Sequence, residues 1–353
     1  MSTTRGSSAS PVAGRAGRLD FLDGVRGIAA VAVVLEHAFE AWVPGYSRVS
    51  LAYLSVGRVG VVAFFLVSGY VIGLTLSKQA IPVFVVRRFW RLFPVYWLVL
   101  AFAIVVDLPT NPLVDPGVPV FLLNLTMLQG VVALPSILGS AWTLGPELLY
   151  YAQTSVSKYL GKLELSVYLG YFWLALYGAL SLIGAAIGKE LPATTPLMLF
   201  FASFGHSIYL RDTKGSRVWI GYLLSAAVVV PLCSIALISS QDEPMEGYGI
   251  IGFNLSAAVG FVLFAIFYFR RGARVAPSVL WLGGISYALY LIHLPLIEVL
   301  RRVVTFAPWG IPLSVGICVV VAWGVHRVVE VPLIRTGRSL STKRRPPDNA
   351  SAL

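Results

Sequence analysis

The feature that most constrains the fold is an apolar stretch at residues 19–42 that also carries ionisable side chains. These side chains are Asp20, Asp23, Arg26, Glu36, His37 and Glu40. A charged side chain near the middle of a bilayer costs roughly 2.5–3.5 kcal/mol, even on the mild scale of insertion experiments. A helix surrounded by lipid would not carry so many of them. The stretch therefore predicts a membrane helix whose charged groups face other protein or water.

The composition agrees with a protein built of many membrane helices. Of 353 residues, 57% are hydrophobic and only 12% are charged, which excludes an ordinary soluble domain. The formal net charge of +11 raises the alternative of nucleic-acid binding. The basic residues, however, occur in short clusters between apolar runs, a pattern typical of cytoplasmic loops. We therefore expect membrane lipid as a partner and no nucleic acid.

The apolar runs predict an all-α polytopic membrane bundle of about ten transmembrane helices, with both termini in the cytoplasm. The predicted spans are residues 20–42, 58–76, 92–106, 118–159, 165–187, 194–210, 218–238, 248–269, 279–300 and 311–328. Residues 1–18 are predicted to be a disordered basic tail, 19–334 the membrane domain, and 335–353 a flexible basic tail. The cell (inner, cytoplasmic) membrane is the predicted location.

The region 118–159 allows two topologies because a Pro/Gly-containing piece, LPSILGS, interrupts it. Two full spans would place Lys158 and Lys162 outside the cell. One inward passage with a re-entrant or broken segment near 135–145 would place both lysines inside. The charge bias and the Pro/Gly break both favour the second topology.

His37 is the first candidate for chemistry. Arg26 lies eleven residues before it, close to three full turns, so both share one helix face. Glu40 lies three residues after it and is its neighbour on the helix surface. His37 can be a hydrogen-bonded packing residue, or it can be a general base or a transient acyl carrier. The nearby Arg26 and Glu40 favour the functional interpretation.

Three arginines in the segment VVRRFWRLFPVYW form the second candidate site. Arg88 and Arg91 are one turn apart, and Arg87 flanks them. Such a cluster sets membrane topology, and guanidinium groups also bind phosphate through paired hydrogen bonds. Spacing alone leaves both roles open, and in the second role Arg87, Arg88 and Arg91 bind a phosphorylated cofactor.

Two further segments carry candidate residues. In SAWTLGPELLYY, Glu147 is an acid inside an apolar run, either a capping carboxylate or a group beside a cavity. In GISYALYLIHLPLIEVLRR, His293 lies in mid-span, one helical turn from Tyr290. We predict a catalytic role for Glu147 beside His37, Arg26 and Glu40, and substrate contacts for four residues. These four are Trp142, Tyr150, Tyr290 and His293.

Several other functions have no support in the sequence. It contains no phosphate-binding loop of the GxxxxGK[ST] type, no zinc-ligand spacing and no GxSxG nucleophile motif. We therefore expect no metal site, no ATP-driven transport and no serine-hydrolase chemistry.

Five motifs, in order, resemble those of the acyltransferase 3 family of bacterial integral-membrane O-acyltransferases. They are LDGVRGIAAVAVVLEHAF, FFLVSGYVIG, RRFWRLFPVYW, SAWTLGPELLYY and ISYALYLIHLPLI. The resemblance implies transfer of an acyl group, most often acetyl, from cytoplasmic acyl-CoA to a hydroxyl of a carbohydrate or glycosylated acceptor. It also implies that Arg26, His37, Arg88 and Arg91 are tied to activity. The chain departs from the family pattern around Glu147, at Gly145, Pro146, Leu148 and Leu149.

The resulting hypothesis is an acyl-CoA-dependent O-acyltransferase that acts on a carbohydrate or glycosylated acceptor, with surface polysaccharide, lipid-linked glycan, peptidoglycan and a glycosylated natural product as the possible acceptors. His37 acts as general base or acyl carrier, with Glu40 or Glu147 orienting it. Arg26 stabilises charge on the thioester oxygen or positions the donor. The alternative is a carrier or exporter of a glycan or small molecule, whose charges line a transport path. A lipid-binding scaffold would leave the charges of the first span without a role.

Overall fold

The computed structural model describes residues 13–107, 117–132, 134–189, 191–240, 249–304 and 307–343, and these residues contain helices and no strand. The first six helices are α1 (Ala13–Trp42), α2 (Tyr46–Tyr53), α3 (Val56–Lys78), α4 (Ile81–Asp107), α5 (Gly117–Leu125) and α6 (Leu144–Tyr159). The others are α7 (Leu169–Ile187), α8 (Thr194–Lys214), α9 (Val218–Ser239), α10 (Ile250–Phe269), α11 (Pro277–Val303), α12 (Ala307–Val325) and α13 (Val331–Lys343). The all-helical prediction is confirmed for this part of the chain.

Seven helical stretches in the described ranges are long and apolar enough to cross a membrane. They are Val56–Lys78, Ile81–Val106, Leu163–Ile187, Val218–Ser239, Ile250–Phe269, Pro277–Val303 and Trp309–Thr342. The predicted count of about ten is therefore not confirmed. The three other predicted spans correspond to the charged α1, to the more polar α8 and to the broken region, whose α5 and α6 have only 9 and 16 residues.

Helix α1 lies at the centre of the bundle and runs parallel to α11. Near the start of both helices, Gly283 lies against the backbone of Asp23. Ten residues further along α11 and fourteen further along α1, the ring of His293 stacks on that of His37. The charged stripe of α1 therefore faces protein except at Asp23, whose side chain is half-exposed, and the sequence predicts contact with protein or water.

One end of the bundle collects basic side chains, and we call it the basic end. There Asp212 of α8 accepts hydrogen bonds from Tyr70 of α3 at 3.0 Å and from Arg271 at 2.7 Å. The ammonium group of Lys158, at the end of α6, donates to the carbonyl groups of Leu76 and Gln79 at the end of α3. Lys158 thus lies at the same end as these groups, which agrees with the broken-segment interpretation of region 118–159.

Small residues allow the central helices to approach closely. Gly69 of α3 faces the carbonyl group of Ala202 in α8, and Gly73 faces His206 and Tyr209 one turn later. Any side chain at these two glycines would push α3 and α8 apart. Such small-xxx-small pairs are common at helix contacts in membranes.

Two adjacent glycines of α11 provide a matched test of the α1–α11 contact. A Cβ atom at Gly283 would lie 2.1 Å from the carbonyl oxygen of Asp23, whereas one at Gly284 would have no neighbour within 4 Å. We expect Gly283→Ala to destabilise the protein by about 1–3 kcal/mol or more. Gly284→Ala should be neutral or stabilising by up to about 1 kcal/mol. Thermal unfolding in detergent measures the difference, and equal midpoints would refute the contact.

The helices extend beyond both predicted domain boundaries. Helix α1 already begins at Ala13, within the predicted N-terminal tail. The predicted flexible tail from residue 335 is instead helical as far as Lys343, because α13 packs on α4 through Gly337 against Trp90. Residues 1–12 and 344–353 of the predicted tails lie outside the described residues.

Candidate active site

A cavity of about 100 Å³ lies between α1, α3, α4, α6 and α11. Its volume is enough for several water molecules or one small anionic group. Its charged lining consists of Arg26, Arg88, Arg91 and Glu147. Its hydroxyl groups belong to Ser68, Thr143, Tyr151, Ser286, Tyr287 and Tyr290. Aliphatic and phenylalanine side chains complete the wall, so the polar groups face an otherwise apolar space.

The two arginines of α4 enter the cavity together because they are three residues apart on one helix face. Arg88 is held in place, since its guanidinium group lies over the rings of Phe84 and Tyr151 at 5.4 and 5.2 Å from their centres. Within the described ranges, the guanidinium group of Arg91 has neither a hydrogen-bond nor an ion-pair partner. Arg91 is therefore free to bind a ligand.

Glu147 lies on the α6 side of the cavity. Its carboxylate accepts hydrogen bonds from the hydroxyl groups of Tyr151 and of Ser68, the latter at 3.3 Å. Tyr151 in turn accepts a long hydrogen bond of 3.5 Å from Arg88. Glu147 thus belongs to the arginine cluster, which it helps to hold in position.

The charge of the cavity favours an anionic ligand. Three guanidinium groups and one carboxylate line it. Asp23 also approaches Arg26 at 3.4 Å, but its side chain is 51% exposed, so water weakens this ion pair. Excess positive charge within apolar walls attracts anions such as phosphate.

A second polar cluster surrounds His37. Its Nδ1 lies 2.7 Å from Oε2 of Glu40, as the spacing predicts. Its ring stacks on that of His293, with 5.1 Å between ring centres and 27° between planes. His293 lies beside Tyr290 at 5.9 Å, and the hydroxyl of Tyr290 is 2.8 Å from that of Thr143 in the cavity wall. His37 therefore faces the interior and connects to the cavity through two side chains.

The arginine cavity and the His37 cluster occupy different levels of the bundle. Arg26 and His37 share a face of α1, but eleven residues of helix separate them by about 16 Å. His37 is not among the residues that line the cavity. Arg26 is therefore too far away to stabilise charge on a carbonyl group at His37, and its hypothesised alternative role, positioning the donor, fits its place.

Comparisons with known proteins decide the family. A family model described as an acyltransferase domain matches residues 19–327, most of the chain. The chain belongs to the acyltransferase 3 family. No curated protein and no solved structure matches it. The family and the apolar helices together make this protein a membrane acyltransferase, and they confirm the resemblance.

Three predicted site residues of this acyltransferase lie away from both clusters. Arg87 donates a hydrogen bond of 2.9 Å to Ser341 of α13, because it lies about 100° around α4 from Arg88. The hydroxyl of Tyr150 lies 3.3 Å from Nδ1 of His206, on the far side of α6. Trp142 packs beside Gly130. The geometry therefore does not support their predicted roles in cofactor or substrate binding.

Glu36 has a structural role in the acyltransferase. Its buried carboxylate accepts hydrogen bonds from the backbone N–H groups of Val56 and Gly57 at 3.0 and 3.3 Å, at the start of α3. Ser50 and Tyr46 donate to it as well. Burial, together with this carboxylate, raises the pKa of Tyr46 to about 12. A negative charge at a helix N-terminus is stabilising, so Glu36 anchors α3 to α1.

Two tyrosines of the cavity, Tyr151 and Tyr287, lie in the candidate segments, but the sequence analysis assigned no role to them. Tyr151 lies four residues after Glu147, a spacing that brings two side chains together on a helix. The hydroxyl of Tyr287 donates to the carbonyl of Leu92 at 2.8 Å and so ties α11 to the arginine helix α4. The spacing of Tyr151 was a usable signal, whereas the contact of Tyr287 depends on tertiary packing.

Proposed function

We propose that this acyltransferase moves an acyl group from cytoplasmic acyl-CoA to a hydroxyl group, inside the membrane. One observation carries the proposal: α1 holds both Arg26, in the wall of the arginine-lined cavity, and the His37–Glu40 pair, about 16 Å further along the helix. Acyl-CoA has its phosphates at one end and its thioester at the other, with an extended pantetheine arm between them. Such a donor can occupy both sites at once.

The donor's phosphates are assigned to the cavity. Arg88 and Arg91 offer paired N–H donors to phosphate oxygens, and Arg26 adds a third charge. The cavity, at about 100 Å³, accommodates one phosphate-sized group and not the whole donor. The nucleotide portion then extends toward the basic end, and the pantetheine arm toward His37.

The chemistry is assigned to His37 and Glu40. When Nδ1–H of His37 donates to Glu40, Nε2 keeps its lone pair and can accept a proton. Nε2 takes the proton of the acceptor hydroxyl, and the oxygen attacks the carbonyl carbon of the thioester. The C–S bond then breaks, and the CoA thiolate takes the proton back from His37. An ester and the free thiol of CoA result. A two-step version, with the acyl group briefly on His37, uses the same residues.

The acyl group is acetyl, and the acceptor is a carbohydrate or glycosylated molecule, as the family resemblance implies. The proposed topology keeps ten spans, with the basic end and both termini in the cytoplasm, because basic loops are retained on that side. The protein then lies in the cytoplasmic membrane, where acyl-CoA reaches the arginines from inside the cell.

The test uses inverted membrane vesicles from cells that produce the chain and from cells that lack it. Acetyl-CoA labelled in its acetyl group is added, and free CoA thiol and label in base-labile esters are measured. We expect both products to depend on the chain and to form in equal amounts. A carrier would release no thiol, so chain-independent thiol release would refute the acyltransferase mechanism.

A further inference from the structure

His293 is a buried imidazole that makes no side-chain hydrogen bond in the described part of the chain. It lies in the middle of α11 with 0% of its surface exposed. The backbone carbonyl groups of Leu289 and Tyr290, one turn earlier, lie beside the ring, but neither Nδ1 nor Nε2 forms a hydrogen bond of good geometry. Leaving a buried polar group unpaired costs free energy, so natural proteins rarely keep one without a role. A phenylalanine or leucine would fill a purely structural position without this cost.

The surroundings of His293 keep its ring uncharged. Its neighbours are the rings of His37 and Tyr290 and the thiol of Cys318, which lies 3.9 Å from its carbonyl oxygen. Glu40, the nearest carboxylate along α1, is paired with His37. A buried charge without a partner is costly, so the imidazole is neutral. A neutral imidazole has one N–H donor and one lone pair.

We propose that the N–H group of His293 donates a hydrogen bond to the carbonyl oxygen of the thioester while that oxygen becomes an oxyanion. This inference rests on the proposed acyl transfer. Two rings stacked at 5.1 Å can reach one carbonyl group: His37 through the attacking hydroxyl, and His293 through the carbonyl oxygen. The ring nitrogens of His293 are enclosed in the free protein, so the thioester reaches them when it enters beside His37. A donor aimed at the oxyanion then stabilises it strongly.

Two other candidate donors fit this role less well. Arg26 lies about 16 Å away along α1. The hydroxyl of Tyr290 is already paired with Thr143 at 2.8 Å.

The exposure of the two histidines indicates from which side the acceptor enters the site. The side chain of His37 is 32% exposed, whereas His293 is fully enclosed. The acceptor therefore enters at His37, and the carbonyl oxygen points inward to His293.

The test compares variants of the full-length protein. His293→Phe and His293→Leu both remove the ring nitrogens, and His293→Phe also keeps a ring against His37. We expect either variant to lower kcat for CoA release by about 10²–10³-fold, the usual loss of an oxyanion donor. The KM for acetyl-CoA should stay within about twofold, since the arginine cavity is unchanged. His293→Gln, which restores an N–H donor, should have a kcat at least tenfold higher than that of His293→Phe or His293→Leu.

Cys318→Ala is the matched control, because it changes a buried contact of His293 without removing an imidazole. Its kcat should stay within about threefold of wild type. The inference fails if His293→Phe or His293→Leu, purified as a monodisperse protein, keeps kcat within threefold, or if His293→Gln is no faster than they are. It also fails if Cys318→Ala is equally slow. The proposed function fails separately, if the wild-type protein releases no thiol.

Discussion

Replacing His37 with alanine is expected to slow acyl transfer by about 10³–10⁴-fold, because it removes the group that takes the proton of the acceptor hydroxyl. Glu40 holds His37 at 2.7 Å, but a carboxylate in this pair orients the imidazole and does not replace it. His37→Gln keeps a polar side chain of similar length and should be equally slow. The measurement is the initial rate of CoA release in inverted vesicles, normalised to the amount of chain.

Two controls separate chemistry from folding. His37→Ala should keep the wild-type dissociation constant for acetyl-CoA, since the arginines lie at another level of the bundle. His326 offers a matched variant, because its Nδ1 also pairs with a carboxylate, Glu330, at 2.8 Å. His326→Ala should keep the rate within about threefold. Transfer that survived in His37→Ala would refute the assigned base, and a rate loss in both variants would point to structural damage.

The His37–Glu40 pair was predictable from the sequence because its geometry is local. Residues three apart on a helix are neighbours wherever the helix lies. The close approach of α3 to α8 was predictable for a similar reason, since Gly69 and Gly73, one turn apart, leave a flat helix surface. The motifs that resemble the family also covered the segments that form the cavity. Local spacing thus predicted the helical fold class and the His37–Glu40 contact, and motif order predicted the family.

The positions that the sequence could not predict depend on distance along a helix and on helical phase. Shared phase placed Arg26 with His37 on one face, but phase contains no information on the 16 Å between them. Tyr150 and Tyr151 are adjacent, and only Tyr151 faces the cavity. That phase depends on where α6 begins, and a 3₁₀ turn at Gly139–Thr143 precedes it. Because 3₁₀ and α turns advance by different angles, the sequence could not fix which tyrosine faces inward.

Replacing Arg91 with alanine is expected to weaken acyl-CoA binding by about 10–150-fold, the value of one charged hydrogen-bonding group on a phosphate. Arg91→Ala tests phosphate binding more directly than Arg88→Ala, because Arg88 also packs on Phe84 and Tyr151. Arg91 has no hydrogen-bond or ion-pair partner within the described residues, so its loss leaves no buried group unpaired. The measurement is the dissociation constant for acetyl-CoA by calorimetry on purified protein.

Arg87→Ala is the matched control for Arg91→Ala, because it removes the same charge four residues away on the same helix. Arg87 points to Ser341 of α13, so its loss should leave the dissociation constant within about threefold. A second donor, acetyl-pantetheine, lacks the phosphates of CoA. Wild type and Arg91→Ala should use it equally slowly, since the arginine then has nothing to bind. A tenfold difference with this donor, or equal weakening by Arg87→Ala, would show that Arg91 acts through something other than the donor's phosphates.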